Sequence, residues 1–167
     1  RPVRASADLF GAPPTGFAAL LLRPEPDDAA ATEALARTAQ LATVYVDAYR
    51  VPVLVAPAAG PYVEAVVGLT ATTTAERARV LLDELADRTR STFGIDVRGA
   101  MGSIVSDVRD LPRSRRDGVA VLELLIDRAT PGCAAYEEVQ VEVAFRELLQ
   151  QAGTGEHLSR GAVAALA

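Results

Sequence analysis

Arginines stand out among the side chains that could bind or react, because four of them crowd the predicted start of one helix. The helix opens at Asp110 with Pro112 in its first turn, and the four residues are Arg109, Arg113, Arg115 and Arg116. The N-terminal end of a helix carries partial positive charge, which disfavours cations there. One explanation is a solvated face on which the arginines pair with Asp107, Asp110 and Asp117. The other is a site for an anion or an acidic partner at the helix end.

Residues of the kinds that catalyse reactions are few and scattered. The chain has no lysine, and its one histidine and one cysteine are His157 and Cys133. His157 lies in a polar, glycine-flanked segment, so we expect a solvated side chain, and we expect Cys133 to act as a small apolar residue. Three carboxylates follow the first predicted strand: Glu25, Asp27 and Asp28. They could bind a cation or stabilise the N-terminus of a helix, and we expect the helix N-terminus. We therefore predict no catalytic residue, no metal site and no cofactor.

The composition is that of an acidic globular domain. The chain has 167 residues, 50% of them hydrophobic, and a formal net charge of −5. This length is typical of one domain, and the negative charge repels nucleic-acid phosphate, so any DNA contact is expected outside these residues. No apolar run approaches the roughly 20 residues of a membrane helix, and no signal peptide follows Arg1. With a single cysteine, these features predict a cytoplasmic protein without membrane contact, and the missing initial methionine predicts an excised segment.

Hydrophobic periodicity and turn signals predict a mixed α/β domain. Predicted strands cover residues 17–22, 51–56, 62–69, 96–104 and 133–136. Predicted helices cover 29–43, 73–92, 139–151 and the segment from Asp110 to the break at Pro131. The order of the first six elements, βαββαβ, is typical of a ferredoxin-like antiparallel sheet with helices on one face, followed here by additional helices.

Local signals refine this prediction at three places. Thr73-Thr74-Ala75-Glu76 matches a capping box at the start of the second helix. Gly99 and Gly102 indicate close backbone approach in the fourth strand. Gly153-Thr154-Gly155 indicates a linker, so we predict one domain over residues 1–152 and, over 153–167, a linker and the start of a truncated helix.

An ordered set of short motifs resembles the GGDEF-like domain of CdaR/PucR-type bacterial transcription regulators. The motifs are Leu9-Phe10-Gly11, Thr15–Pro24, Val53–Pro57, Glu64–Val67, Met101–Val108, Leu111–Asp117 and Glu156–Gly161. The resemblance implies a palm-like fold and a role in regulation or dimerisation. It also implies a homodimer that contacts DNA only through an absent C-terminal helix-turn-helix domain.

The central hairpin carries the clearest departure from active diguanylate cyclases, which the resemblance brings into comparison. Their Gly-Gly-Asp/Glu-Glu-Phe turn binds nucleotide and metal, and the matching turn here is Ala59, Gly60, Pro61 and Tyr62. Both carboxylates are gone, and Pro61 removes a backbone donor. We therefore predict a degenerate turn, a non-catalytic domain and no enzyme activity.

Two alternative functions remain open at this point. One is a sensor for a small-molecule effector, a nucleotide or a metabolite, with a pocket at the sheet near Gly60, Gly99 and Gly102. The other is an active nucleotide cyclase, which incubation with GTP and magnesium would test.

Overall fold

The computed structural model describes residues 13–25, 31–49, 52–56 and 60–164, with side chains described as far as Gln151. This part of the chain contains five strands and four α-helices. The strands are β1 (Gly16–Pro24), β2 (Val53–Val55), β3 (Val63–Leu69), β4 (Val97–Met101) and β5 (Cys133–Ala135). The helices are α1 (Ala31–Tyr49), α2 (Ala75–Phe93), α3 (Leu111–Asp127) and α4 (Tyr136–Ala164), with a short 3₁₀ turn at Val108–Asp110.

The strands form one sheet in the order β2-β3-β1-β4-β5. The first four strands pair antiparallel, and β5 joins the edge of β4 in parallel. This order of β1 to β4 confirms the ferredoxin-like prediction. The register places Ala19 opposite Val66 and Leu21 opposite Glu64, so these four side chains share one face of the sheet.

The central strand β1 is buried on both faces, which is why its sequence is a continuous apolar run. Ala18, Leu20 and Leu22 pack with α1 and α2 on one face. Leu21 packs with α3 and Val143 of α4 on the other face. The two helices of the βαββαβ core therefore lie on one face as expected, and the two later helices cover part of the second face.

Gly102 and Gly99 lie at close contacts: Gly102 against helix backbone, as its position in the sequence predicted, and Gly99 against two side chains. A Cβ atom on Gly102 would lie 1.8 Å from the carbonyl oxygen of Ser114, so α3 approaches the end of β4 more closely than any side chain allows. A Cβ atom on Gly99 would lie 2.5 Å from the sulfur of Cys133 and 2.8 Å from Leu82. Protein atoms fill the space beside both glycines, so neither opens onto a ligand pocket as the sensor hypothesis supposed.

The second helix begins one residue later than the capping-box pattern indicates. The hydroxyl of Thr74 accepts a hydrogen bond from the backbone N–H of Arg77 at 3.2 Å, which makes Thr74 the N-cap. Gly94 ends the helix with a φ of 68°, a left-handed conformation that favours glycine.

Helices α1 and α4 are longer than their sequence patterns predicted. The segment 44–49, beyond the predicted end of this helix at residue 43, continues α1 to Tyr49. Helix α4 begins at Tyr136, directly after β5, and continues through Gly153–Gly155, where a linker was expected. The domain boundary after residue 152 stays a prediction. Leu9–Gly11, Asp27 and Asp28 lie outside the described residues. Within the described ranges, no helix combines the length and hydropathy that a bilayer span requires.

Candidate functional site

The arginine cluster lies in the first two turns of α3 and, for Arg109, in the 3₁₀ turn just before it, and its four members have different partners. Arg109 pairs with Asp107 at 2.7 Å just before the helix, while its backbone N–H donates to the same carboxylate at 2.9 Å. These hydrogen bonds from Arg109 lower the pKa of Asp107 to about 2. Arg113 lies 4.0 Å from Asp117. The predicted solvated face is thus formed with two of its three expected carboxylates, since neither of these pairs uses Asp110.

Arg116 is exposed and forms no ion pair within the part of the chain that the structure describes. The four arginines at this helix start therefore do not form one site with shared partners. Two arginines are held by neighbours on their own segment, one faces solvent, and the remaining one crosses to the sheet.

Arg115 is the member that reaches another element. Its Nε donates to the carboxylate of Glu64 on β3, and its Nη2 donates to the hydroxyl of Tyr62 at 2.9 Å. The guanidinium carbon also lies 5.6 Å from the centre of the Tyr62 ring, within the range of a cation–π contact. The hydrogen bond to Glu64 raises the pKa of Arg115. The sequence did not predict this link, because it connects residues 51 positions apart.

A cavity of about 270 Å³ opens beside this link, between the sheet and the first turn of α3. Its walls are mostly small and apolar, and its charged side chains are the paired Glu64 and Arg115. The lining residues are Ala19, Ala56, Glu64, Ala65, Val66, Leu111, Pro112 and Arg115. The small side chains of Ala19 on β1 and Ala56 just after β2 leave this volume open. Helix α3 packs over β1 and β4 and does not extend over the β2–β3 half of the sheet.

The predicted degenerate turn lies between β2 and β3, the two strands of the central hairpin. Gly60 has a φ of 116° and is exposed, as is Pro61, whereas Tyr62 is half-buried beside Arg115. Ala59 lies outside the described residues. The described carboxylate nearest the turn is Glu64, and it is paired with α3.

The carboxylate that follows β1 is also paired. Glu25 forms an ion pair with Arg98 on β4, and Arg98 donates to the carbonyl of Thr130 at 3.0 Å. Asp27 and Asp28, the other carboxylates considered as cation ligands, are outside the described ranges. Among the described residues, no three His, Cys, Asp or Glu side chains group as metal ligands would.

Cys133 occupies the edge strand β5, and His157 lies in the part of α4 whose side chains are not described. Burial, with a smaller contribution from the charge of Asp83, raises the pKa of the Cys133 thiol to about 12. Such a thiol stays protonated at neutral pH and is a poor nucleophile. Cys133 thus packs as a small apolar side chain, as the sequence predicted.

The family of this chain follows from a match over most of its length. A model described as a GGDEF-like domain matches residues 2–124. This chain belongs to the GGDEF-like domain family. A search of curated proteins finds no match. The link to CdaR/PucR regulators in particular is not given by the family match.

The GGDEF-like chain shares its fold with the active GGEEF domain of a diguanylate cyclase from Vibrio cholerae. The two structures superpose with a TM-score of 0.54 over 79% of this chain and 88% of that chain, at 13% sequence identity. This finding corrects our prediction that the chain is not an enzyme, because the fold that it shares is the fold of an active cyclase domain. The changed turn does not by itself exclude activity.

Proposed function

We propose that this GGDEF-like domain is a regulatory module of a CdaR/PucR-type transcription regulator, and that it transmits signals by self-association through α4. The order of motifs along the chain supports the assignment to this type of regulator. The carrying observation is a stripe of exposed apolar side chains on α4. DNA binding would belong to a domain outside these 167 residues, because the net charge of −5 opposes contact with phosphate.

The apolar stripe of α4 consists of Val141, Phe145, Leu148 and Leu149, which are 74%, 63%, 63% and 58% exposed. The spacing of four and then three residues places Val141, Phe145 and Leu148 on one side of the helix, as in the seam of a coiled coil. Large apolar side chains that are exposed together on one face mark interaction surfaces.

The opposite side of α4 is fixed to the domain, which sets the direction of the stripe. Val143 is buried against α3. Arg146 donates to Glu123 at 2.8 Å and to Asp127 at 2.7 Å, both on α3, and its side chain is only 19% exposed. Since α4 is anchored on one side, the stripe cannot turn inward to bury itself.

A second copy of this chain is the occupant that best suits the stripe. An isologous pair around a two-fold axis sets the same apolar residues against each other. Arg146, on the opposite side of α4, is already paired within its own domain. The helix extends over Tyr136–Ala164, about 43 Å at 1.5 Å per residue, which is enough for several turns of pairing.

Sedimentation equilibrium tests the proposal with Phe145→Glu/Leu148→Glu, and Val44→Glu serves as a matched control because Val44 is a 62% exposed apolar residue on α1. We expect a dimer for the unmodified chain and for the control, and a monomer for the double variant. A strict monomer for both this chain and its full-length parent would reject self-association.

A small-molecule sensor is the second candidate, and the cavity beside Arg115 favours it. The glycines that first suggested a sensor do not contribute, because Gly99 and Gly102 are packed against protein atoms. A thermal-shift screen with nucleotides and metabolites tests this candidate, since a ligand that binds the folded state raises the melting temperature by mass action. Absence of any shift across the screen would argue against it.

Cyclase activity is the third candidate, and the fold that the chain shares with an active GGEEF domain favours it. Incubation of the chain with GTP and magnesium, followed by chromatography of the nucleotides, tests it directly. A dinucleotide product that Glu64→Gln abolishes would assign a reaction to the hairpin. Unchanged GTP would reject the cyclase candidate.

A further inference from the structure

We infer that the cavity between the sheet and α3 binds a small, largely apolar monocyclic carboxylate, with Arg115 as its anchor and Glu64 as an internal competitor for that anchor. This inference rests on the sensor candidate and not on self-association through α4.

The shape and lining of the cavity set the size and polarity of the ligand. A volume of about 270 Å³ is close to the lower end of small-molecule sites, about 300 Å³, so it suits one ring and not a nucleotide. Ala19, Ala65 and Val66 line it from the sheet, and Leu111 and Pro112 line it from α3. Apolar walls of this kind favour the hydrocarbon part of a ligand.

The charged pair among the lining residues determines which polar group the ligand carries. Arg115 is 45% exposed and Glu64 is 23% exposed, so the guanidinium is accessible to solvent while it holds the carboxylate. A carboxylate ligand offers the same two oxygens that Glu64 offers, and a guanidinium binds such a group through parallel hydrogen bonds. The ligand carboxylate therefore takes the place of Glu64 at Nε of Arg115, while the hydroxyl of Tyr62 still accepts from Nη2.

The helix end beside the cavity favours an anion over a cation. Leu111 and Pro112 are the first residues of α3, so the positive end of the helix dipole lies at the cavity wall. The first turn of α3 contains no acidic residue, and the side chain of the N-cap residue Asp110 forms no capping hydrogen bond with the helix N–H groups. A cationic ligand would need Glu64 and would meet both Arg115 and this helix end.

Isothermal titration calorimetry with three one-ring probes tests the inference: benzoate, benzamide and benzylamine, which are anionic, neutral and cationic. We expect benzoate to bind more tightly than the other two. Arg115→Gln should weaken benzoate binding about tenfold or more, as expected for the loss of a charged hydrogen-bond partner. Glu64→Gln should strengthen it about two- to fivefold, because it removes an exposed competing pair.

Two further variants separate this site from a general effect of charge or folding. Arg128→Gln removes a cation from the opposite end of α3 and should leave benzoate binding unchanged. Val66→Phe fills the cavity without changing charge and should abolish binding, and the thermal unfolding of each variant verifies that it is folded.

The outcomes against the inference are equally definite. Tighter binding of benzylamine, weaker benzoate binding in Glu64→Gln, or no binding of any probe to the unmodified chain would each overturn it. A metabolite that shifts the melting temperature equally in the unmodified chain and Val66→Phe would support a sensor at another site, so the sensor candidate and this inference fail separately.

Discussion

The hydroxyl of Ser114 accepts a hydrogen bond from the backbone N–H of Ala19 at 2.9 Å, and both groups are buried. The two residues are 95 positions apart, and they join α3 to the central strand of the sheet. Next to this bond, the N–H of Gly102 donates to the carbonyl of Ala19 at 2.9 Å. The position of α3, and with it the position of Arg115, therefore depends on the hydrogen bond between Ser114 and the backbone of β1.

Ser114→Ala should destabilise the domain by about 1–3 kcal/mol, because the buried N–H of Ala19 loses its hydroxyl acceptor. Urea denaturation measures the change. Ser91→Ala is the control, since Ser91 is exposed on α2 and its hydroxyl donates to a carbonyl one turn away. Equal stability of the two variants would contradict the structural role of the bond.

Gly102→Ala should destabilise the domain by about 3 kcal/mol or more, because its methyl group would overlap the carbonyl oxygen of Ser114 and helix backbone cannot move aside cheaply. Gly118→Ala is the comparison: its methyl group would lie 3.1 Å from the flexible end of Leu21. We expect a clearly smaller loss for Gly118→Ala by denaturation, and the reverse order would be inconsistent with this packing.

Asp107 should titrate with a pKa of about 2 because of its hydrogen bonds from Arg109. A carboxyl whose pKa is lower in the folded state contributes stability above its unfolded pKa, about 3.9, and this contribution disappears as the pH falls through 2. NMR titration of the carboxyl carbon measures the midpoint. Arg109→Gln should move it towards the ordinary value, and an unchanged midpoint in that variant would disprove the stated cause.

Cys133 should react slowly with iodoacetamide at pH 8, because burial raises the pKa of its thiol to about 12 and only the thiolate is nucleophilic. The sign of the linkage follows. An acid whose folded pKa is raised contributes stability below its unfolded pKa, about 8.5, and loses it as the pH rises towards 12.

Mass spectrometry of the alkylated chain, with and without urea, measures the reactivity of this thiol. Rapid modification in urea with slow modification in buffer is the expected pair of results. Equal rates in both conditions would show that β5 does not protect Cys133.

Much of the fold is encoded in local patterns. The apolar run of β1, the threonine cap of α2 and its glycine end are visible in the sequence, because burial on two faces and helix termination depend on nearby residues. The length of α4 was underestimated, because glycines at 153 and 155 are poor helix formers.

The candidate site was only half predictable. Gly102 indicated a close approach in the sequence, but its neighbour Ser114 could not be predicted. The arginine cluster indicated an unusual helix start, but the sequence did not show that Arg115 is the member that contacts the sheet. The link between Arg115 and Glu64 depends on the register of β3 against β1 and on the placement of α3, and neither is written in a short stretch of sequence. Such pairs require the assembled sheet.

The direct junction between β5 and α4 has a mechanical consequence. Ala135 ends the strand, Tyr136 begins the helix, and the carboxylate of Glu138 accepts from the N–H of Ala135 at 2.8 Å, so the joint has no slack. Arg79 of α2 also clamps it, through Glu138 and the carbonyl of Cys133. A rotation of α4 imposed from outside would therefore move the edge strand β5 with it, because no flexible hinge lies between them.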